Sequence, residues 1–313
     1  MSYSLNTMYK TMEVSKQAVH QAKQRQLAFD HEVEQLIPKV QRIRKEHPGC
    51  GLEKMYLDLQ PKTMGRDAFC NVFMELGYGV KPVRNYHRTT FRGDYFYPNL
   101  IEGMEVNRPF QVIQSDITYF RINDQHYYLV FIIDVYTRMV LGYNVSDSLR
   151  TESNEKALDM ALKQMKFLPG GLIHHSDKGS QYSSTIYTEK LKKHGIQISM
   201  GNAAWENAFA ERINGIIKNE YLKKWSINSF EELKRCATKA VNHYNRKRRH
   251  RAFKMKYNPV NFYQNLLALS AQERPTVIIY AEGRLNFKGT SSPSEVCPRK
   301  DPLAHICPMD YNQ

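Results

Sequence analysis

Several ingredients are scarce in this chain of 313 residues, and each absence closes off a class of protein. Its five cysteines, Cys50, Cys70, Cys236, Cys297 and Cys307, are odd in number, widely spaced and never arranged as C-x-x-C. That excludes a disulfide framework and fits a reducing cytoplasm. His305 precedes Cys307 by two positions, but no cysteine/histidine set has finger-like spacing, so a zinc module is excluded too. Long apolar runs are missing. The longest, Tyr127 to Ile133, falls far short of the roughly 20 residues that a helix needs to cross a bilayer. The first residues contain no apolar stretch of the signal-peptide kind. The chain also lacks internal repeats and leucine heptads. These absences lead us to expect a soluble protein of the cytoplasm, without a membrane partner.

Negative charge is short as well. There are 31 Asp and Glu against 45 Lys and Arg, a formal net charge of +14, which points to a polyanionic partner. The excess is concentrated: residues 212–256 hold fourteen basic and three acidic residues, whereas residues 108–211 hold eleven of each. A neutral block therefore lies between a mildly basic front and a very basic flank. That is the distribution expected if nucleic acid is gripped on either side of a reaction centre. With 42% hydrophobic residues the chain can bury a core, and its length suits two or three domains.

Residues 1–25 read as a short helical pair, with Ser15 as N-cap of Lys16 to Gln24. Residues 30–46 read as a second, amphipathic helix with Val33, Leu36, Ile37, Val40 and Ile43 on one stripe. Leu52 to Leu59, a turn at Pro61 to Gly65, and Arg66 to Leu76 stopped by Gly77 give the outline of a helix-turn-helix; a plain helical bundle has the same outline. Residues 80–108 read as linker. Three runs rich in β-branched and aromatic residues, Gln111 to Ile122, His126 to Thr137 and Met139 to Ser146, then read as strands, with turns at Asn123-Asp124 and around Arg138. A helix at Glu152 to Lys166, a strand at Leu172 to His175, a helix at Ser184 to His194, a strand at Ile196 to Met200 and a helix at Asn207 to Leu222 follow. A further helix spans Phe230 to Tyr244. Val277 to Tyr280 and Arg284 to Phe287 read as a hairpin, and the remaining tail as mobile.

Three carboxylates stand out in that order of elements. Asp116 lies mid-strand in Q-S-D-I-T-Y, where a carboxylate is costly without a partner. Asp177 follows the strand L-I-H-H-S at its carboxyl end, where α/β folds place their sites. Glu211 lies early in its helix and shares a face with Asn214, Gly215 and Lys218. Taken singly, each reads equally as a strand-edge, turn or solvated helix residue. Phosphodiester chemistry, however, needs charge neutralised at the attacking and leaving oxygens, and two Mg²⁺ ions roughly 3.5–4 Å apart, held by a few carboxylates, do this.

The motifs that carry these residues resemble a known family. H-S-D-K-G-S-Q-Y (His175 to Tyr182), K-K-H-G-I-Q-I-S-M (Lys192 to Met200), N-A-F-A-E (Asn207 to Glu211), S-D-I-T-Y (Ser115 to Tyr119) and N-H-Y-N-R (Asn242 to Arg246), with Pro259, are similar to the DDE integrase core. The nearest resemblance is to the second-frame transposase of the insertion sequence 3 family, within the retroviral-integrase superfamily, and Leu52 to Tyr78 resembles its helix-turn-helix module. The resemblance implies an α/β fold: an RNase H-like integrase core, built on a mixed five-stranded sheet with helices, preceded by an all-α helix-turn-helix DNA-binding region. The expected division is residues 1–95 for that region, 96–108 for a linker, 109–270 for the core with its basic helical flank, and 271–313 for the tail.

The resemblance further implies that Asp116, Asp177 and Glu211 are catalytic and bind two Mg²⁺ ions, with Mn²⁺ as a substitute. The implied activity is strand cleavage and strand transfer at the ends of an insertion element. Its partners would be double-stranded DNA (terminal inverted repeats and target), at least one further copy of the chain, and an upstream-frame protein, in the bacterial cytoplasm at the nucleoid. Candidate DNA contacts are Lys178, Lys218, Arg246, Lys247, Arg248, Arg249 and, on the helix-turn-helix, Arg66. Asp134 is read as a partner of Arg138 rather than a metal ligand, and His174 and His175 as strand packing, since Mg²⁺ prefers oxygen. Two other functions share many of these features: an RNase H-fold nuclease or resolvase that cuts without joining, and a DNA-binding regulator with an inert core.

Overall fold

The computed structural model describes residues 9, 11–80, 96–165, 168–201, 204–279 and 285–288. The chain divides into two compact units between Arg84 and Asn85, not at residue 95.

The first unit is helical. Helix α1, Lys16–Glu46, is one continuous rod of 31 residues with Pro38 inside it, where two helices were expected. No Gly or Pro interrupts residues 16–37, so nothing in the backbone stops the helix between Gln24 and Asp30. Ser15 caps it as expected, its hydroxyl accepting from the Ala18 amide at 3.0 Å. The earlier half of the expected helical pair lies largely outside the described residues. Helices α2, Leu52–Leu59, and α3, Arg66–Phe73, follow, and Gly77 ends the last turn at φ 83°. Leu36 and Val40 of α1 pack with Met55 of α2 and Phe69 and Phe73 of α3. Glu32 closes the α2–α3 turn by accepting from the Lys62 and Thr63 amides, each at 2.7 Å. This is the expected helix-turn-helix outline.

The second unit is built on a five-stranded sheet. Strand β1, Glu105–Val106, precedes it; the sheet itself comprises β2 (Val112–Ile122), β3 (Gln125–Asp134), β4 (Val140–Ser146), β5 (Ile173–Ser176) and β6 (Gln197–Met200), in the order β4-β3-β2-β5-β6. The β4-β3-β2 half is antiparallel, and β5 and β6 add in parallel, so the sheet is mixed. It carries α4 (Thr151–Met165), α5 (Thr185–Lys193), α6 (Ala208–Ile216) and α7 (Phe230–Arg246). The architecture is RNase H-like, as expected.

Alternation decides which face each residue buries. On β3, Leu129, Phe131 and Ile133 enter the layer with Phe209, Ile213, Leu233 and Ala237, while Val130 and Ile132 enter the opposite layer with Leu158, Ala161, Tyr187 and Leu191. Gly142 on β4 has a packing reason to be glycine. A Cβ there would lie 2.0 Å from the Ala157 carbonyl oxygen of α4, so any side chain would push the helix off the sheet. Asn245 of α7 locks onto the edge by accepting from the Val140 amide at 3.0 Å and donating to the Val140 carbonyl at 2.8 Å.

Residues 96–108 do not behave as a linker. Ile101 and Val106 are buried in the core of this unit, and β1 pairs antiparallel with β7, Thr276–Ile279. β7 in turn pairs with β8, Leu285–Lys288. The expected hairpin therefore exists, but as two strands of a three-stranded sheet whose third strand arrives from 170 residues earlier. A helix α8, Pro259–Leu266, with Asn258 as its cap, precedes it. Residues 289–313 lie outside the described ones.

Candidate active site

Asp116, Asp177 and Glu211 come from three elements, and the sheet register explains how two of them meet. In the parallel pair β2–β5, Gln114 lies beside His175 and Ser115 beside Ser176. The next residue on each chain is Asp116 and Asp177, on neighbours that run about 4.8 Å apart. Glu211 arrives from α6, whose Phe209 and Ile213 are buried on the same face. Asn214, one turn after Glu211, donates its amide to Asp116 Oδ2 at 2.7 Å, tying that helix to β2 beside the carboxylate.

The electrostatics report the same proximity. Burial, and then the carboxylates of Asp177 and Glu211, push the Asp116 carboxyl well above the usual range, against the opposing bond from Asn214. Glu211 is exposed as a residue, but the protein around its carboxyl desolvates it and, with Asp177, pushes it up to about 7. Like charges that disfavour one another's ionisation are what a multivalent cation relieves.

Side chains around the triad fix it in place. Asp177 Oδ1 accepts from the Gly179 amide at 3.1 Å. Tyr182, in the helical turn just after Asp177, shares a 2.8 Å hydrogen bond with Ser115 Oγ. Asn207, at the start of α6, donates to the Ser115 carbonyl at 2.9 Å. The residue before Asp116 therefore holds the elements of both other carboxylates. Sequence pattern did not reveal this role for Ser115, Tyr182 or Asn207, because each bond spans 67 or 92 residues.

The histidines before Asp177 take no part. His174 Nε2 is 3.0 Å from Tyr187 Oη, and His175 Nδ1 is 2.8 Å from Ser199 Oγ. Burial depresses them to about 3 and about 4, so both rings are neutral packing. Asp134 is fully buried and caps the turn after β3: Oδ1 accepts from the Phe110 amide at 2.9 Å, and Oδ2 from the Thr137 amide at 2.9 Å and its hydroxyl at 2.6 Å. The expected partner, Arg138, stacks its guanidinium on the Phe209 ring at 3.8 Å.

The residues expected to touch DNA separate into two groups. Arg246 and Lys247 are exposed. Arg248 is an interior residue instead: it forks onto Glu220 through Nε at 2.8 Å and Nη2 at 2.6 Å. Lys218 is likewise turned inward, donating to Thr118 Oγ1 at 2.9 Å and lying over the Tyr119 ring at 4.7 Å. Both were expected on phosphates; buried Arg248 is committed to Glu220 instead, whereas half-buried Lys218 lies near the Asp116 carboxylate. Arg249 donates to the Met255 carbonyl at 3.1 Å. Lys178 lies over the Phe96 ring at 4.5 Å. Arg66 is exposed and pairs with Asp67 at 2.8 Å.

Two family profiles, both described as Integrase core domain, match residues 106–204 and 194–257. Between them they span all three carboxylates. Over 194 residues the chain is 34% identical to the insertion element IS600 uncharacterized 31 kDa protein of Shigella sonnei, covering 60% of this chain and 71% of that relative. The chain belongs to the integrase-core family of insertion-element proteins. It is also 38% identical over 143 residues to the transposase for insertion sequence element IS629 of Shigella sonnei, covering 45% of this chain and 48% of that one. Against the transposase InsF for insertion sequence IS3A of Escherichia coli (strain K12) it is 31% identical over 180 residues, or 56% of this chain and 62% of that one. The aligned part of the chain thus spans from about half to about two thirds of the length of these relatives.

Proposed function

We propose that the chain is a DNA transposase that cleaves at the ends of an insertion element and joins those ends to target DNA, with Asp116, Asp177 and Glu211 as its catalytic carboxylates. The observation that carries this reading is their convergence: the β2–β5 register sets Asp177 beside Asp116, and Asn214, one turn after Glu211, donates to Asp116 at 2.7 Å.

The donor set fits a hard divalent cation. All three groups are carboxylates, His174 and His175 each commit one ring nitrogen to Tyr187 or Ser199, and oxygen ligands suit Mg²⁺ or Mn²⁺. Among the described residues no group of three or more His, Cys, Asp or Glu side chains is drawn together closely enough to enclose an ion. Two Mg²⁺ ions held by Asp116, Asp177 and Glu211 would supply neutralisation of the charge on the attacking and leaving oxygens of a phosphodiester. The chain's own contribution is orientation. Asn214 fixes one oxygen of Asp116, the Gly179 amide fixes one of Asp177, and Ser115 anchors both flanking elements. Such pre-set geometry lowers the reorganisation needed at the transition state.

Arg246, Lys247, Arg249 and Lys178 would hold DNA phosphates, and Arg66, at the exposed start of α3, would help read the element's ends. Processing two DNA ends would require at least two copies of the chain, and an upstream-frame protein would add a further DNA-binding segment. Among the described residues no helix is long and apolar enough to cross a membrane.

The test uses the full chain, Mg²⁺ and a duplex ending in the element's inverted repeat, with a supercoiled target. Transposition predicts 3′-end cleavage followed by covalent joining to the target. Cleavage without joined product would favour the nuclease, and tight binding without cleavage the inert regulator.

A further inference from the structure

Position 114 is where the central strand β2 faces α6, two residues before Asp116 and on the same face of the sheet. Its occupant is a glutamine, fully buried. An unbonded amide there would be costly, and an apolar side chain would fill the space without that cost. What the amide supplies is therefore informative. Helix α6 begins at Ala208 behind Asn207, and it has no side-chain cap of its own; the Asn207 amide nitrogen donates instead to the Ser115 carbonyl. The first turn of a helix leaves its amides without intrahelical acceptors. Gln114 Oε1 accepts two of them, from Phe209 at 3.1 Å and Ala210 at 3.3 Å. Its Nε2 donates to the Glu206 carbonyl at 3.3 Å, on the segment entering the helix. These are the second and third helical positions, the ones a local Ser, Thr or Asp cap ordinarily serves. Glu211 is the next residue.

We infer that Gln114 is a positioning residue for the proposed metal site: it caps α6 from the strand that bears Asp116 and so fixes where Glu211 stands relative to Asp116. The cap and the Asn214–Asp116 bond grip α6 on either side of Glu211. Removing the acceptor would let the first turn fray and move Glu211 away from a shared cation, while Asn214 still held the second turn. The inference rests on the reading of Asp116 and Glu211 as metal ligands, and neither test below needs DNA.

The measurement is residue-resolved amide exchange on the metal-free full chain, combined with the rise in melting temperature on titration with Mg²⁺. In the wild type the Phe209 and Ala210 amides should exchange slowly. Gln114→Met, which keeps the length and loses the acceptor, should speed both at least tenfold, leave β3 amides unchanged, and raise the half-saturating Mg²⁺ concentration at least tenfold. Gln114→Glu keeps an acceptor and should restore the slow exchange. Unchanged exchange in a folded Gln114→Met variant would overturn the inference. So would lost protection with an unchanged Mg²⁺ response, which would make Gln114 merely structural. If Gln114→Met does not fold, the wild type decides: exchange of Phe209 and Ala210 at unprotected rates would contradict the cap. A failure of the transposase reading would appear elsewhere, as DNA cutting that survives Asp116→Asn, and would leave the exchange result standing.

Discussion

Asn214 donates its side-chain amide to Asp116 at 2.7 Å, across 98 residues of sequence. The bond stabilises the ionised form of a carboxylate that burial and two carboxylate neighbours push towards protonation. Asn214→Ala should therefore raise the Asp116 carboxyl further and weaken cation binding. Loss of such an outer partner typically costs about 10–100-fold in metal affinity or activity. Mg²⁺ titration of cleavage rate should show it, with the deficit shrinking at higher pH. An unchanged Mg²⁺ dependence would mean the bond is only packing.

The triad should destabilise the metal-free protein at neutral pH. Glu211 is pushed up from an ordinary 4.5 to about 7 in the folded state, so the folded form binds protons more tightly than the unfolded one. The sign follows: stability falls as pH rises from about 4.5 to 7, and the penalty is complete above that window. Glu211→Gln and Asp116→Asn should each raise the melting temperature in chelator at pH 8. For Glu211→Gln the gain should vanish near pH 4. Mg²⁺ should stabilise the wild type and neither variant. A melting temperature independent of these changes would remove the electrostatic account.

The basic run after α7 should divide by burial. Arg248→Ala leaves Glu220 without its fork in a half-buried place. Breaking a buried pair costs about 3–5 kcal/mol, and with the Glu220 side chain 23% exposed the lower end, about 3 kcal/mol, is expected. Arg246→Ala with Lys247→Ala should leave stability within about 0.5 kcal/mol and weaken binding to all DNA sequences alike. Two lost phosphate contacts should flatten the slope of log K against log salt by about two units. Chemical denaturation and a salt titration separate the two effects. Equal effects on both readouts from the two substitutions would defeat the division.

Much of this architecture was legible because it repeats at short range. Runs rich in β-branched and aromatic residues marked Val112–Ile122 and Gln125–Asp134 as strands, and the helix that bears Glu211 was legible from Asn207 onward. The three carboxylates were legible from their motifs and their order. What stayed hidden depends on partners far away in sequence. A two-residue strand at Glu105–Val106 has no periodicity to detect and acquires its identity from Ile278 and Val277. One arginine in R-K-R-R looks like the next, and only the position of Glu220 sets Arg248 apart. Gln114 reads as a polar interruption in a strand until the uncapped start of α6 is set against it. The single helix Lys16–Glu46 was legible in principle, since its sequence contains no breaker before Pro38.

The central claim is that Asp116, Asp177 and Glu211 act as one charge-dependent unit on DNA. Strand cleavage and joining in Mg²⁺ by Asp116→Asn, Asp177→Asn and Glu211→Gln, with DNA binding measured on the same preparations, tests it most directly. Asp134→Asn serves as the comparison: its carboxylate accepts from the Phe110 amide and from Thr137, so it should lose about 1–3 kcal/mol of stability but keep its activity below its melting temperature. The account predicts that each triad variant binds DNA like the wild type and loses cleavage and joining by at least about 100-fold. Near-wild-type cleavage by any one of the three would remove that residue from the site, and by all three would contradict the account.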